Sequence, residues 1–187
     1  DETEVRNLDY VEYLEWIKRH YIYNYEPYRT SLVSTREGMD IYNKALPDTL
    51  VWRDKLGENE TFVNNYLRHP SYREYPVVGV SWEQANDYCL WRTDRVNERI
   101  LINAGILLEE GHEDRDALAI FTTSAYLYGD ETYHSYIVGE DLKKRITNMK
   151  VKYDGKDEEM GRYANMSDGL LLPNYRLPTE AEWEHAA

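Results

Sequence analysis

The chain has 187 residues, with 35 acidic against 22 basic side chains and a formal net charge of −13, and a field of that sign repels nucleic acid and anionic lipid surfaces. Hydrophobic residues make up 42% and aromatic residues 13%, enough for one globular domain with a sizeable core. No apolar run approaches the roughly 20 residues that cross a bilayer as a helix.

The opening DETEVRNLDYVEYLEW enters a helix almost at once, and residues 1–20 read as helical, with Asn7 as the expected N-cap. Leu8, Val11, Leu14, Ile17 and Tyr21 fall near one face. Tyrosines then alternate at 21, 23 and 25 before Pro27 interrupts, a period-two pattern that predicts a strand or an extended segment. Tyr21, Tyr23, Tyr25 and Tyr28 carry two readings. Their spacing favours packing against the body of the domain; alternatively they form a partner-binding stripe, since tyrosine combines a large contact area with a polar tip.

From Ala45 to Pro76 the turn chemistry is dense, at Pro47-Asp48, Gly57-Glu58-Asn59 and His69-Pro70-Ser71, around the apolar run Leu50-Val51-Trp52. This predicts ordered loops with short elements. PVVGV at 76–80 reads as a brief buried strand that feeds a helix capped by Ser81 and Gln84, spaced as a capping box. Trp82, Ala85, Cys89, Val96 and Ile100 approximate one face of that helix.

Residues 101–172 change character, mixing charge, Gly and Tyr without sustained periodicity, and read as a partly structured insertion with helical pattern in 114–128 and 139–149. The closing YRLPTEAEWEHAA starts another helix, because Thr179 and Glu182 repeat the capping-box spacing. That helix has barely two turns, and the first one begins next to Asp1, so the sequence reads as an excerpt that starts and stops inside a larger domain. The expected organisation is the N-terminal part of a domain over 1–100, an insertion over 101–172, and a truncated return to the core over 173–187.

Chemistry-bearing residues are few. Cys89 is the single cysteine, and with no cationic neighbour in sequence that would clearly stabilise a thiolate it reads as a buried, inert thiol. His112 stands among Glu109, Glu110, Glu113, Asp114 and Asp116; the spacing matches no ligand pattern, and a solvated acidic face is the favoured reading over a divalent-cation site. DGKDEE at 154–159 lacks the alternating oxygens of a calcium loop. His20, His69, His134 and His185 are isolated.

Three stretches in order, DETEVRNLDYVEYL, YPVVGVSWEQANDYCLWR and YRLPTEAEWEHAA, resemble the formylglycine-generating enzyme, or sulfatase-modifying-factor, domain. The resemblance implies an α+β fold, a loop-rich variant of the C-type-lectin-like fold, incomplete in this chain. In that family the two helices usually lie close in sequence, whereas here 101–172 separates them. The long insertion, with DGLLLPNYRLPTEAEWE, WRTDRVNE and the approach from Ala45 to Trp82, resembles the gliding-motility lipoproteins of the Bacteroidetes. That kinship implies a non-catalytic structural lipoprotein of the outer membrane, facing the periplasm, required for gliding and type IX protein secretion. Its implied partners are proteins of that apparatus, including ring lipoproteins of the GldK type, and its implied anchor is a lipid carried upstream of Asp1; nucleic acid is not a partner.

Catalytic relatives use a copper-binding cysteine pair located after the Arg-Leu-Pro-Thr-Glu helix, and their calcium sites also follow it. No catalytic, cofactor or metal residue therefore carries over to this chain, and a calcium site belongs to the part of the domain beyond it. Cys89 matches one member of a family disulfide whose other position is Ala187 here. Two rival roles remain from the resemblance: a copper-dependent oxidase whose active site lies past the chain end, and a lectin-like module for glycan or peptidoglycan. Asp48-Thr49-Leu50 resembles the Asp-Ser/Thr-apolar motif for O-glycosylation of exported Bacteroidetes proteins, making Thr49 a modification site, although a plain turn explains the same residues more simply. Asn59-Glu60-Thr61 matches the N-glycosylation acceptor by chance.

Overall fold

The computed structural model describes residues 3–22, 35–113, 115, 120–129, 151–153, 156–158 and 164–186, and the chain divides into two units. The first comprises Asp1–Tyr88 with Leu177–Ala187, the second Cys89–Arg176.

In the first unit, helix α1 spans Asn7–Ile17. Its start is held from within the helix: the Asp9 carboxylate accepts the Arg6 backbone N–H at 3.2 Å and its guanidinium at 2.8 and 2.9 Å, a carboxylate in the first turn favoured by the helix dipole. Asn7 is the first helical residue and not the N-cap. Its backbone N–H donates to Tyr75 O, Leu8 N–H donates to Arg73 O, and Val77 N–H donates to Val5 O, so residues 5–8 clasp residues 73–77. The clasp buries Asn7, and its Nδ2 donates to Tyr66 O at 3.2 Å and Tyr72 O at 2.9 Å. The buried face of α1 is Tyr10, Tyr13, Leu14 and Ile17, while Leu8 is exposed. The Tyr88 ring stacks on Tyr10 at 5.6 Å and meets Tyr13 edge-on at 5.7 Å, and Tyr10 OH donates to Ala45 O. Tyrosine thus supplies both the area and the satisfied polar tip that a buried ring needs.

Helix α1 runs into a π-helical turn, Lys18–Ile22, and α2, Thr35–Ala45, lies against both. The strand-like reading fails at Tyr21, which belongs to this turn. The Tyr21 carbonyl oxygen occupies the space where a Cβ on Gly38 would sit. The expected strand at 76–80 also does not form: those residues are half-buried and make a single bridge, Arg6 with Pro76, because the clasp takes up their backbone at one end only. Gly79, with φ +81°, accepts from Asp48 N–H at 2.8 Å, and the Asp48 carbonyl fills its missing Cβ position. Between these points lie the 3-10 turns Thr49–Trp52 and Pro70–Tyr72 and the short helix α3, Glu60–Asn65. These are the short ordered elements that the turn chemistry predicts.

Helix α4, Trp82–Asn103, contributes its first turns to the first unit and the remainder to the second. Its capping box forms as expected, with Ser81 N–H donating to Gln84 Oε1 at 2.8 Å and Gln84 N–H to Ser81 Oγ at 3.2 Å. The expected apolar stripe does not describe its buried side. Trp82 is 70% exposed, and the buried residues are Tyr88, Thr93, Asn97, Glu98 and Leu101.

In the second unit, Leu101, Ile106, Leu107, Phe121, Tyr126, Ala164 and Leu171 form one core cluster. Helix α5, Thr123–Tyr128, starts with Thr122 Oγ1 accepting from Ala125 N–H. Strands β1, Val151–Tyr153, and β2, Lys156–Glu158, pair antiparallel with Val151 opposite Glu158. A 3-10 turn, Met166–Asp168, precedes the exit segment. Among the described residues secondary structure is mostly helical, with strand limited to that hairpin. The helical expectation for 139–149 lies outside the described residues.

Helix α6, Glu180–Ala186, belongs to the first unit. Thr179 N–H donates to Glu182 Oε2 at 2.8 Å and Glu182 N–H to Thr179 Oγ1 at 3.4 Å, so the second capping box also forms. Trp183 is 64% exposed.

Candidate functional site

Two side-chain systems stand out, one in each unit. The first is the polar side of α4 in the second unit. Asn97, fully buried, donates through Nδ2 to Leu172 O at 3.1 Å and Thr123 Oγ1 at 3.3 Å, and accepts Leu172 N–H at 2.8 Å. One turn earlier, Thr93 Oγ1 accepts Tyr175 N–H at 2.9 Å and donates to Cys89 O. Asp94 accepts Thr123 N–H at 2.7 Å. Glu98 binds the buried Arg115 and also Arg95, whose guanidinium groups in turn donate to Leu108 O and Phe121 O respectively. The Arg92 guanidinium lies 4.7 Å from the Tyr175 ring centroid, a cation–π contact.

This system joins Leu108, Arg115, Phe121 and Thr123, from the first part of the region read as an insertion over 101–172, and Leu172 at its end with Tyr175 just beyond, to one helix. Thr93, Asp94, Asn97, Glu98 and Arg115 each meet a backbone amide, a carbonyl or an opposite charge, as burial requires. Chemically it is a clamp. The sequence contains one signal for it: Thr93, Asn97 and Leu101 follow one another at helical spacing from Cys89. An apolar-stripe search skips the two polar members.

The second system is an aromatic cluster in the first unit. Trp52 lies 4.7 Å from Tyr66 and 5.4 Å from Phe62 between ring centroids, Phe62 lies 5.7 Å from Tyr72, Tyr66 stacks on Tyr72 at 5.4 Å, and Tyr75 meets Tyr72 edge-on at 6.1 Å. Tyr66 OH donates to Pro76 O, and burial pushes its phenol pKa up. The cluster props up an exposed apolar edge, Leu50 and Val51 in the 3-10 turn and Leu56 in the following loop. Arg53 and Glu60 brace the loop as a bidentate pair at 2.8 and 3.0 Å, and the hydrogen bond from Arg53 holds the Glu60 carboxyl below its ordinary range.

The residues singled out from sequence fall in different places. Thr49 is half-buried at the start of the 3-10 turn, where Asp48 Oδ1 accepts Leu50 N–H at 2.8 Å, so the Asp-Thr-Leu triplet has a turn role of its own. Tyr21 is half-buried, 5.9 Å edge-on to Trp16; Tyr23, Tyr25 and Tyr28 lie outside the described residues. Cys89 is half-buried, and desolvation raises its thiol pKa, with Arg92 opposing weakly. His20 is buried, stacked on Trp16 at 4.2 Å with Nδ1 2.9 Å from Trp16 O. His69 caps a turn, its Nδ1 accepting Ser71 N–H. His112 and His185 are exposed; Asp114, Asp116, His134, Asp154, Gly155 and Glu159 lie outside the described residues, and 156–158 form strand β2. Among the described residues, no three His, Cys, Asp or Glu side chains gather as a metal-ligand set, and no helix is long and apolar enough to cross a membrane.

In comparisons with curated proteins and with solved structures, nothing matches. The family comparison does match, to the sulfatase-modifying factor enzyme 1-like domain over residues 1–187, and that family fits the C-type-lectin-like fold implied by the Trp-bearing capped helix and the Arg-Leu-Pro-Thr-Glu helix start. Spanning its whole length, the match makes this chain a member of the sulfatase-modifying factor enzyme 1-like domain family.

Proposed function

We propose that this chain is part of a non-catalytic structural lipoprotein of the gliding-motility and type IX secretion apparatus, of the GldJ type, held at the periplasmic face of the outer membrane by a lipid upstream of Asp1. The family includes both enzymes and non-catalytic members. The observation that carries the structural reading is the use of the polar residues on α4: Thr93, Asp94, Asn97 and Glu98 are engaged with backbone and buried arginines. A helix whose buried Thr93, Asn97 and Glu98 hold distant chain segments suits a scaffold. Cys89, half-buried with a raised thiol pKa, suits a packing residue better than a metal-binding or nucleophilic thiolate.

The finer assignment draws on the stretches WRTDRVNE and DGLLLPNYRLPTEAEWE, and here the clamp supplies a physical reason for the first. Thr93, Asp94, Asn97 and Glu98 are the residues of WRTDRVNE that grip the inserted region. The fold that goes with this role is the irregular α+β variant of the family. The test is affinity isolation of the full-length protein, with ring lipoproteins of the GldK type and purified cell wall offered in parallel. Retention of ring lipoproteins is the expected result. Retention of wall alone overturns the scaffold reading in favour of a lectin-like one, and a copper-dependent oxidation of a cysteine peptide by the full-length protein overturns the non-catalytic one.

A further inference from the structure

From Arg53 to Glu58 every residue is exposed and none lies in a helix or strand. Within that loop, residues 54–58 make one hydrogen bond, from Leu56 N–H to Asp54 Oδ1 at 3.1 Å. The Leu56 carbonyl and the Gly57 N–H, the two sides of the next peptide bond, make none. Other exposed turns use their backbone groups internally. Around the Pro70–Tyr72 turn, Tyr72 N–H donates to His69 O, Arg73 N–H to Pro70 O and Tyr75 N–H to Tyr72 O, and beside His112 the bonds run from His112 N–H to Glu109 O and from Arg115 N–H to His112 O. Leu56 is 98% exposed, more than any other large apolar side chain among the described residues, and Gly57 after it leaves the backbone free to straighten. The flanks are held without the loop. Trp52 lies 5.4 Å from Phe62 and 4.7 Å from Tyr66 between ring centroids, Arg53 binds Glu60 at 2.8 and 3.0 Å, Asn7 donates to Tyr66 O and Tyr72 O, and Tyr10 stacks on Tyr88. Each of these contacts joins a residue before Leu56 to one after Gly57.

We propose that the Leu56–Gly57 bond is a cleavage site in the native protein for an endopeptidase with an apolar primary pocket, and that the two fragments stay joined in the folded first unit. An endopeptidase takes its substrate as an extended segment, through backbone groups that must be free, and selects it by a side chain that enters a pocket. Residues 54–58 offer both, and exposed loop tips are where folded chains are nicked. To straighten, this loop gives up only the Asp54–Leu56 hydrogen bond. Cleavage is a hydrolysis: the oxygen of water adds to the Leu56 carbonyl carbon, the bond from that carbon to the Gly57 nitrogen breaks, and the nitrogen takes up a proton. The products end in a Leu56 carboxylate and begin with a Gly57 ammonium. A basic-specific endopeptidase acting after Lys55 is the poorer match, because the N–H of the Lys55–Leu56 bond is the one that Asp54 holds. The inference does not depend on which apparatus the protein serves.

The test treats the folded full-length protein briefly with chymotrypsin, whose pocket is apolar, and in parallel with trypsin, and reads the new chain ends by mass spectrometry. The expected result is a chain beginning at Gly57 that elutes with its N-terminal partner in buffer and parts from it in denaturant. Leu56→Asp is expected to slow the appearance of that end about tenfold or more, and Leu56→Phe to preserve it. Both variants are expected to melt with the parent, since the side chain they replace touches solvent almost alone. The same Gly57 end is expected as a minor fraction of the protein isolated from its own cells. Absence of that end from the digest or from the cells overturns the inference. So does an undiminished rate in Leu56→Asp, separation of the fragments in buffer, or faster cleavage by trypsin after Lys55. None of these results bears on retention of ring lipoproteins or cell wall, so the two tests fail separately.

Discussion

The two units solve the same problem by different means. In the first, backbone meets backbone: residues 5–8 clasp 73–77, Asp48 crosses Gly79, and tyrosine rings fill the space behind them. In the second, a single helix reaches out with side chains, and Thr93, Asp94, Asn97 and Glu98 hold segments that have little regular structure of their own. A backbone clasp tolerates many side chains provided glycine stands where two strands of chain touch. A side-chain clamp depends on the identity of each member, because removing one leaves buried partners without water or hydrogen bonds.

The sharpest way to break this contrast is at Glu98. Changing Glu98→Ala leaves Arg115, nearly inaccessible, and Arg95 without their shared counter-charge, and is expected to cost about 3–5 kcal/mol in denaturant unfolding. Joint replacement of Glu98 and Arg115 by Leu and Met is expected to be much milder, as no buried charge is then stranded between them. If both variants lose the same stability, the clamp is not electrostatic. In the first unit the equivalent point is Gly79→Ala. A positive φ and an occupied Cβ position together are expected to cost roughly 2–3 kcal/mol, seen as a lower denaturant midpoint.

A matched pair comes next. Asn97→Ala strands Leu172 N–H and O and removes a partner of Thr123 Oγ1, whereas Asn7→Ala strands only the carbonyl of Tyr66, since that of Tyr72 still accepts Tyr75 N–H. Each is expected to cost on the order of 1–3 kcal/mol, with Asn97 the larger; the reverse order counts against the difference between the two units. The smallest effect is with pH. Burial pushes the Tyr13 phenol up to about 12 from an ordinary value of 10.0, and Tyr10 is raised further for the same reason. The unfolded chain therefore releases these protons first, so stability is intact below pH 10.0 and declines as pH rises toward about 12. Phenolate absorbance and circular dichroism followed together are expected to show Tyr13 ionising as the helices melt; Tyr10→Phe, which cannot ionise, narrows the loss.

Much of the local structure was legible. Both capping boxes, Ser81 with Gln84 and Thr179 with Glu182, form where their spacing put them, and the turn residues from Pro47 to Ser71 mark short elements. The buried faces were less so. Hydropathy placed Leu8 and Trp82 inside, and both are exposed, while Asn7, Thr93 and Asn97 are buried. Period-two tyrosines suggested an extended chain at Tyr21, yet α1 continues through it as a π-helical turn packed under Gly38. Of the site features, the turn around Thr49 was foreseen as a turn; the clamp was not.

The sequence by itself determined where α4 and α6 begin, where the chain turns between Pro47 and Ser71, and the family to which it belongs, because caps and turns depend on neighbours within about four residues and family motifs on short exact strings. Only the tertiary structure decided which polar side chains go inside. Asn7 finds its acceptor 59 positions away at Tyr66, and Thr93 its donor 82 positions away at Tyr175. Burial of an amide or a hydroxyl becomes favourable only once such a distant partner is in place, and no local pattern in a single sequence records that partner.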